Sequence, residues 1–345
     1  MRAMVVDAVR AQPEVREVPD PSAPEGGVVV RVQATGLCRS DWHAWAGHDD
    51  IAFPHVPGHE LAGEVVEVGA GVTRWQPGDR VTVPFVCGCG RCEWCASGNA
   101  QVCPDQQQPG FTHWGSFAEL VALHAADTNL VAVPEEVETT AAAALGCRFA
   151  TAYRALVGRA QVAPGEWVCV VGAGGVGLSA LMIARALGAR VVAVDRHAEA
   201  LEVATGLGAE HAVLADGADV AAIVADLTGG GSHVAVDAVG SEQTCSAAIL
   251  GLRRRGRLAQ VGLLPPVDGH PRVPMDRVIA WELDLLGSHG MAAVDYPAMM
   301  ALIASGDLEQ QRLVERTVDL AEASLLLPGF DRLTVAGMTI VDPAR

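Results

Sequence analysis

Through the first 148 residues, apolar and polar positions alternate in short valine-rich runs broken by glycine and proline. GGVVVRVQATG, LAGEVVEVGAGV and DRVTVPFV are examples. Period-two runs bounded by turn residues predict a β-rich domain with many turns. From about residue 150 the pattern changes. WVCVVGAGGVG is apolar throughout and ends in glycines, and the Ala/Leu-rich segment LSALMIARALGA follows it. RVVAVDR, HAEALEVATGLGA, HVAVDAVG and RLAQVGLL continue the alternation. Apolar strands separated by such helices predict successive βα units of a parallel sheet. QVAPGE, residues 161–166, reads as a surface turn entering the first parallel strand, and after about residue 285 the pattern is mixed again. No segment repeats and none is of low complexity.

The length of 345 residues makes two domains the natural expectation, and an apolar content of 50% supplies full-sized cores. A net charge of −17 offers no basic stripe for phosphates, which argues against a nucleic-acid partner and against an anionic membrane surface. MRAMVVDAVRAQPEVREVPD interrupts its short apolar runs with charges, unlike a signal peptide. The charge-free stretch between Glu166 and Arg185 holds four glycines within residues 172–177. A membrane span is about 20 mostly bulky apolar residues, so this stretch reads as a core element and the protein as cytoplasmic. Lysine is absent and all 24 basic residues are arginine. That removes Schiff-base chemistry, the P-loop lysine and a Tyr-x-x-x-Lys proton donor.

Gly172-x-Gly174-Gly175-Val176-Gly177 follows the apolar strand 167–171 and opens a helix. In that context the first glycine makes the turn, the second admits a pyrophosphate, and the third lets helix and strand pack closely. Asp195 closes the next strand, where a carboxylate accepts both ribose hydroxyls of NAD and repels the 2′-phosphate of NADP. Arg196, beside it, works in the opposite sense.

CGCGRCEWCASGNAQVC, residues 87–103, holds five of the nine cysteines. Cys89, Cys92, Cys95 and Cys103 have the spacing of a closed tetrahedral zinc site, which is structural because no position stays open. Cysteines so close in sequence do not readily make unstrained disulfides, and no thioredoxin-like unit surrounds them. Cys87 is a bystander. Cys38, His59 and Cys147 are dispersed but flanked by polar residues and glycines, unlike Cys169 and Cys245, which read as packing residues. His48 and His55 read as loop or surface residues.

These flanks carry a resemblance. Gly58-His59-Glu60-x-x-Gly63-x5-Gly69, the four-cysteine lobe and the segment 146–152 resemble the zinc-dependent alcohol dehydrogenases of the medium-chain dehydrogenase/reductase superfamily, over essentially the whole chain. The resemblance implies an α/β protein: a GroES-like β-rich catalytic domain, 1–148, a Rossmann doubly wound parallel-sheet cofactor domain, 149–285, and a segment, 286–345, returning to the catalytic domain. It implies a catalytic zinc on Cys38, His59 and Cys147, and a structural zinc on the lobe. Ser40 and His43 take the proton-relay positions, the alternative for His43 being an exposed loop histidine. Asp41 orients His59, and Glu60 lies behind the metal. Arg39 reaches the cofactor pyrophosphate, the alternative being a surface ion pair. Thr151 and Val176 border the nicotinamide, Val261 and Ser288 offer backbone groups to its carboxamide, and Trp45, Phe85 and Trp114 are pocket candidates.

The function implied is reversible NAD-linked oxidation of primary or aromatic alcohols to aldehydes, by a homotetramer or, alternatively, a homodimer. A polyol or other secondary-alcohol dehydrogenase is the alternative within the class, against which Cys147 counts, since polyol enzymes of the family often carry glutamate there. A catalytically silent zinc and dinucleotide binder and a metallohydrolase are readings from other classes. Arg148 departs from the small residue that often follows the third ligand. It either lies near the active-site mouth, favouring a polar or acidic substrate, or faces a subunit surface.

Overall fold

The computed structural model describes residues 1–266, 269–332 and 337–345. The chain folds as two compact units, Met1–Ala150 with Gly290–Arg345, and Thr151–His289. Among the described residues no helix is long and apolar enough to cross a membrane.

Among the described residues, the unit Thr151–His289 is built on six parallel strands: Trp167–Val171, Arg190–Asp195, His211–Leu214, Ser232–Asp237, Leu252–Gln260 and Asp284–Gly287. Numbered one to six along the chain, they lie in the order 3-2-1-4-5-6, that of a doubly wound dinucleotide-binding sheet. The run WVCVV is apolar because Trp167–Val171 is central and buried along its whole length, as a strand covered on both faces must be. Strand order reverses between this strand and Ser232–Asp237, which opens a crevice at their carboxyl ends. Gly172 turns the chain there with φ 95°, a value glycine adopts without steric cost. The helix Gly175–Ala186 then packs so closely that a Cβ on Gly177 would lie 1.7 Å from the Gly172 carbonyl oxygen. Cys169 and Cys245 belong to the apolar core of this unit.

Among the described residues, the other unit carries a seven-stranded sheet. Val28–Leu37 pairs antiparallel with Glu60–Val68, with Leu120–Leu123 and with the C-terminal strand Met338–Val341. The last of these joins the end of the chain to its beginning, and it pairs parallel with Val314–Val318. Arg80–Thr82 and Val131–Ala132 complete the far side. Val28–Leu37 is buried at every position except Arg31 and Gln33. The sheet therefore places the residues that follow Leu37 and those that precede Glu60 side by side, since Gly36 pairs with Glu60.

Candidate active site

Three separated segments converge at that end of the sheet. Cys38 leaves the strand Val28–Leu37 and N-caps the helix α1, Arg39–Ala46. His59 stands before the strand Glu60–Val68. Cys147 lies on a π-helical turn, Leu145–Phe149, a distortion that recurs at functional sites. The ligand atoms of Cys38, His59, Glu60 and Cys147 all lie within 4.8 Å of one another.

Asp41 organises the cluster. One carboxylate oxygen accepts from the Cys38 amide at 2.8 Å, and the other meets the Gly58 amide at 3.1 Å and His59 Nδ1 at 2.9 Å. Burial works to lower the His59 pKa, but Asp41 and Cys38 together raise it well above the ordinary imidazole value; a cation taking the place of the Nε2 proton would meet a lone pair there while Nδ1–H donates to Asp41. Nε2 is buried and has no hydrogen-bond partner among the described residues. An orphaned buried polar atom costs about 1–3 kcal/mol, which a metal ion beside it would recover. A hydrogen bond from Cys147 draws the Cys38 thiol well below its ordinary pKa, against burial and with help from the charge of Arg148. The same bond, with burial, pushes Cys147 well up. One of the two sulfurs is thus prepared as a thiolate. Two sulfurs and an imidazole nitrogen form a donor set that zinc accepts, with a fourth position left over.

Arg148 neither lines a mouth nor faces a subunit surface, so both of its expected placements are corrected. The π-turn carries its side chain inward, where only 7% of the residue is exposed. Its Nε donates to Glu60 Oε1 at 3.0 Å, its amide donates to the same oxygen at 3.1 Å, and its Nη2 pairs with Oε2. The physical reason is that Glu60, fully buried, needs a countercharge. Gly36 makes room for the pair: a Cβ there would fall 2.2 Å from Glu60 Oε2.

Ser40 Oγ lies 3.9 Å from Cys38 Sγ. His43 is half-buried, and its Nδ1 meets Nδ1 of His48 at 2.8 Å, a partnership the sequence did not disclose. Burial, then the neighbouring His48 and Arg39, lower the pKa of His43. Arg39 is exposed, with Nη2 3.5 Å from the Asp331 carbonyl oxygen. His55, read as a loop or surface residue, lies in a loop but is buried and bonded to the Gly110 carbonyl at 2.8 Å. Trp45 is turned away from the cluster. Its indole N–H goes to Ala11 O at 2.7 Å, and its ring packs on the apolar core around Met4 and Leu37. Trp114 is 37% exposed and donates to Pro54 O. Phe85 does approach His59, with ring centres 6.2 Å apart, and Phe111, which no motif marked, is closer at 5.3 Å.

In the cysteine lobe, the sulfurs of Cys89, Cys92, Cys95 and Cys103 also lie within 4.8 Å of one another. Cys92 is 3.6 Å from Cys95 and 3.7 Å from Cys103. A tetrahedron with Zn–S of about 2.3 Å has edges of about 3.8 Å, whereas a disulfide needs about 2.05 Å. Asn129 ties the lobe down through both the N–H and the C=O of Gly88. Cys87 stays outside, its Sγ 3.4 Å from Pro84 O and its pKa raised by burial to about 12.

In the parallel-sheet unit, Asp195 Oδ2 accepts from the Ala173 amide at 2.7 Å and Oδ1 from the His197 amide at 2.9 Å. The acidic residue thus braces the glycine turn as well as facing solvent beyond it. The Arg196 guanidinium is turned to His197. Thr151 and Ser288 are buried, and Val176 stands on the glycine turn, in the first turn of its helix. The amides of Val261 and Ser288 are committed to Asp237 O and Gln260 O. Asp237, unmarked in the sequence, accepts from Val239 N, Gly240 N, Thr244 Oγ1 and Gln260 Nε2 beside the glycine turn.

Comparison with known proteins agrees with this geometry. The family described as alcohol dehydrogenase GroES-like domain matches residues 24–135, and the zinc-binding dehydrogenase family matches residues 175–305. An alcohol dehydrogenase of Geobacillus stearothermophilus is 39% identical over 77% of this chain and 78% of its own length. The chain belongs to the zinc-dependent alcohol dehydrogenases of the medium-chain dehydrogenase/reductase superfamily. This dehydrogenase is also 30% identical to a sorbitol dehydrogenase of Halalkalibacterium halodurans, over 89% of each chain. Its fold matches that of an alcohol dehydrogenase from Thermus sp. ATN1 with a TM-score of 0.90 and 33% identity, over 99% of both chains. The family combines a GroES-like unit with a Rossmann-like one, and the two units of this dehydrogenase have those forms.

Proposed function

We propose that this dehydrogenase oxidises primary or aromatic alcohols reversibly to aldehydes with NAD, and that it holds two zinc ions. The observation that carries the reading is the buried, unpartnered Nε2 of His59, in a cluster whose ligand atoms, the sulfurs of Cys38 and Cys147 among them, lie within 4.8 Å of one another, with Nδ1 held by Asp41. Cys38, His59 and Cys147 hold the catalytic zinc. Cys89, Cys92, Cys95 and Cys103 hold the structural one. When bound, the catalytic ion supplies a Lewis acid that makes an alcohol hydroxyl more acidic.

The residues of the chain do the rest. Two thiolates cancel the charge of the cation, and the neutral pair Glu60–Arg148 adds none. Ser40 Oγ accepts the hydroxyl proton and passes it on to His43, which carries it outwards. Phe85 and Phe111 wall the pocket and exclude water. Each carboxylate oxygen of Asp195 accepts one backbone amide and keeps a lone pair for a ribose hydroxyl, while its charge repels a 2′-phosphate. Thr151, Val176, Val261 and Ser288 border the nicotinamide, and Arg39 reaches the pyrophosphate. The reading places the metal chemistry in residues 1–148 with 286–345, the cofactor on 149–285, and the enzyme in the cytoplasm as a homotetramer.

A second reading, a polyol or other secondary-alcohol dehydrogenase, is favoured by the similarity to a sorbitol dehydrogenase and disfavoured by the thiol at Cys147. A screen of zinc-loaded enzyme against primary, benzylic, secondary and polyol substrates, with NAD and NADP offered separately, decides between them by the reduced nicotinamide formed. Turnover of primary or benzylic alcohols with NAD is expected. Turnover of polyols alone would establish the second reading, and none with any alcohol or aldehyde would leave a silent binder. Asp195→Asn should weaken NAD more than NADP; equal losses refute the cofactor assignment.

A further inference from the structure

The relay in the proposed mechanism ends at His43, and the structure continues it by one residue. We propose that His48 is the outer member of a two-histidine relay, receiving the alcohol proton from His43 and delivering it to solvent. This inference rests on the alcohol dehydrogenase reading and names who completes its proton path.

The geometry comes from the end of α1. Gly47 adopts φ 85° and caps the helix, its amide donating to Ala44 O. The chain turns back, and the His48 amide donates to the carbonyl of His43 at 3.0 Å. The two imidazoles then meet Nδ1 to Nδ1 at 2.8 Å. Trp42 stands edge-on to both rings, with centres 5.1 Å from His43 and 5.4 Å from His48, and so holds them against one wall. Ser40 and His43 are three residues apart on one helix face. Exposure rises along the path: Cys38 is 4% exposed, Ser40 and His43 are half-buried, and His48 is exposed.

An Nδ1-to-Nδ1 contact requires one ring to donate and the other to accept. With both rings neutral, His43 holds its proton on Nδ1 and shows a bare Nε2, while His48 holds its proton on Nε2. A proton arriving at His43 Nε2 drives the Nδ1 proton across to His48 Nδ1, and His48 releases its Nε2 proton to water. One proton enters and one leaves, and the bond between the rings reverses its sense. The pair resets through water at both rings: His48 Nε2 takes up a proton, the inter-ring proton returns to His43 Nδ1, and half-buried His43 gives its Nε2 proton to water rather than back to Ser40; aldehyde reduction runs the same steps backwards. The charged groups around the pair are Arg39 on α1, Asp49 beyond it, Arg10 with its Nε on Ala46 O, and Asp331 and Arg332 on the turn Leu327–Arg332. Burial, His48 and Arg39 hold His43 below the ordinary imidazole range, so its acceptor end is empty at neutral pH.

The test is His48→Asn in the zinc-loaded enzyme, read by single-turnover proton release with an indicator dye and by kcat against pH. His43 and Ser40 remain, so the loss is smaller than the roughly 10²–10⁴-fold worth of a positioned acid or base. We expect proton release to slow about three- to tenfold near neutral pH, to converge with the parent at alkaline pH, and to recover with added imidazole. Zinc content and the KM for cofactor should not change. Imidazole ¹⁵N NMR of the parent should show the Nδ1 atoms of the two rings linked through one shared hydrogen bond. A His48→Asn enzyme whose proton release and pH profile match the parent's overturns the relay alone. A parent that turns over no alcohol overturns the alcohol reading and the relay with it.

Discussion

Removing Arg148 should cost more stability than removing both it and its partner. Arg148→Met deletes the guanidinium and leaves Glu60, whose side chain is fully buried, with a carboxylate facing the amide of residue 148 and the cluster of Cys38, His59 and Cys147. At an effective dielectric constant of 20, two charges 4 Å apart attract by about 4 kcal/mol, and breaking one side of a buried pair typically costs about 3–5 kcal/mol. Methionine refills part of the volume, so most of that cost is the uncompensated charge. Glu60→Gln/Arg148→Met removes both charges and should be less destabilised than Arg148→Met alone, with a coupling of about 2–3 kcal/mol in the double-mutant cycle. Urea unfolding of the parent, the two single variants and the double variant measures this. With a slope of about 3 kcal/mol per molar urea, the Arg148→Met midpoint should fall by about 1–1.7 M. An Arg148→Met midpoint within about 0.3 M of the parent, or a double variant as unstable as the sum of the singles, would refute the buried-pair argument.

Asp41→Asn keeps the shape but leaves one amide oxygen to serve three donors, the Cys38 amide, the Gly58 amide and His59 Nδ1. Zinc affinity at the catalytic site should fall about 10–100-fold in chelator competition, and parent-like affinity would show that the orienting bond does not matter. Cys95→Ser should lower zinc content by one ion per chain and open residues 87–107 to protease, because folding of such a lobe is coupled to its metal; unchanged stoichiometry by elemental analysis would count against the structural site. Gly177→Ala places a Cβ 1.7 Å from the Gly172 carbonyl oxygen, an overpacking that costs about 1–3 kcal/mol or more. Cofactor affinity, read by fluorescence titration, should drop at least tenfold, and an unaffected titration would refute the close-packing role.

What the sequence determined by itself is local. The glycine turn needs six consecutive residues running from one strand into one helix, and the cysteine lobe closes within residues 89–103, so spacing alone brings their atoms together. The strand and helix alternation after residue 150 is legible for the same reason, since burial on both faces of a parallel sheet leaves continuous apolar runs. Cys38, His59 and Cys147 were marked by their polar, glycine-bearing flanks and by family resemblance, but nothing in the 108 residues between the two cysteines says that the three meet.

The tertiary structure decided the rest. Glu60 and Arg148 are 88 residues apart, and their pairing depends on the Gly36–Glu60 register of two strands and on a π-turn that redirects one side chain. Trp45 looked like a pocket residue by position, but the helix turns it into the core while Phe111 reaches His59 from a distant loop. His43 and His48 are close in sequence, yet their rings meet only because Gly47 adopts a left-handed conformation that sends the chain back. Spacing settles contacts within a turn or a strand. Contacts between segments follow from register and burial, which the whole fold sets at once.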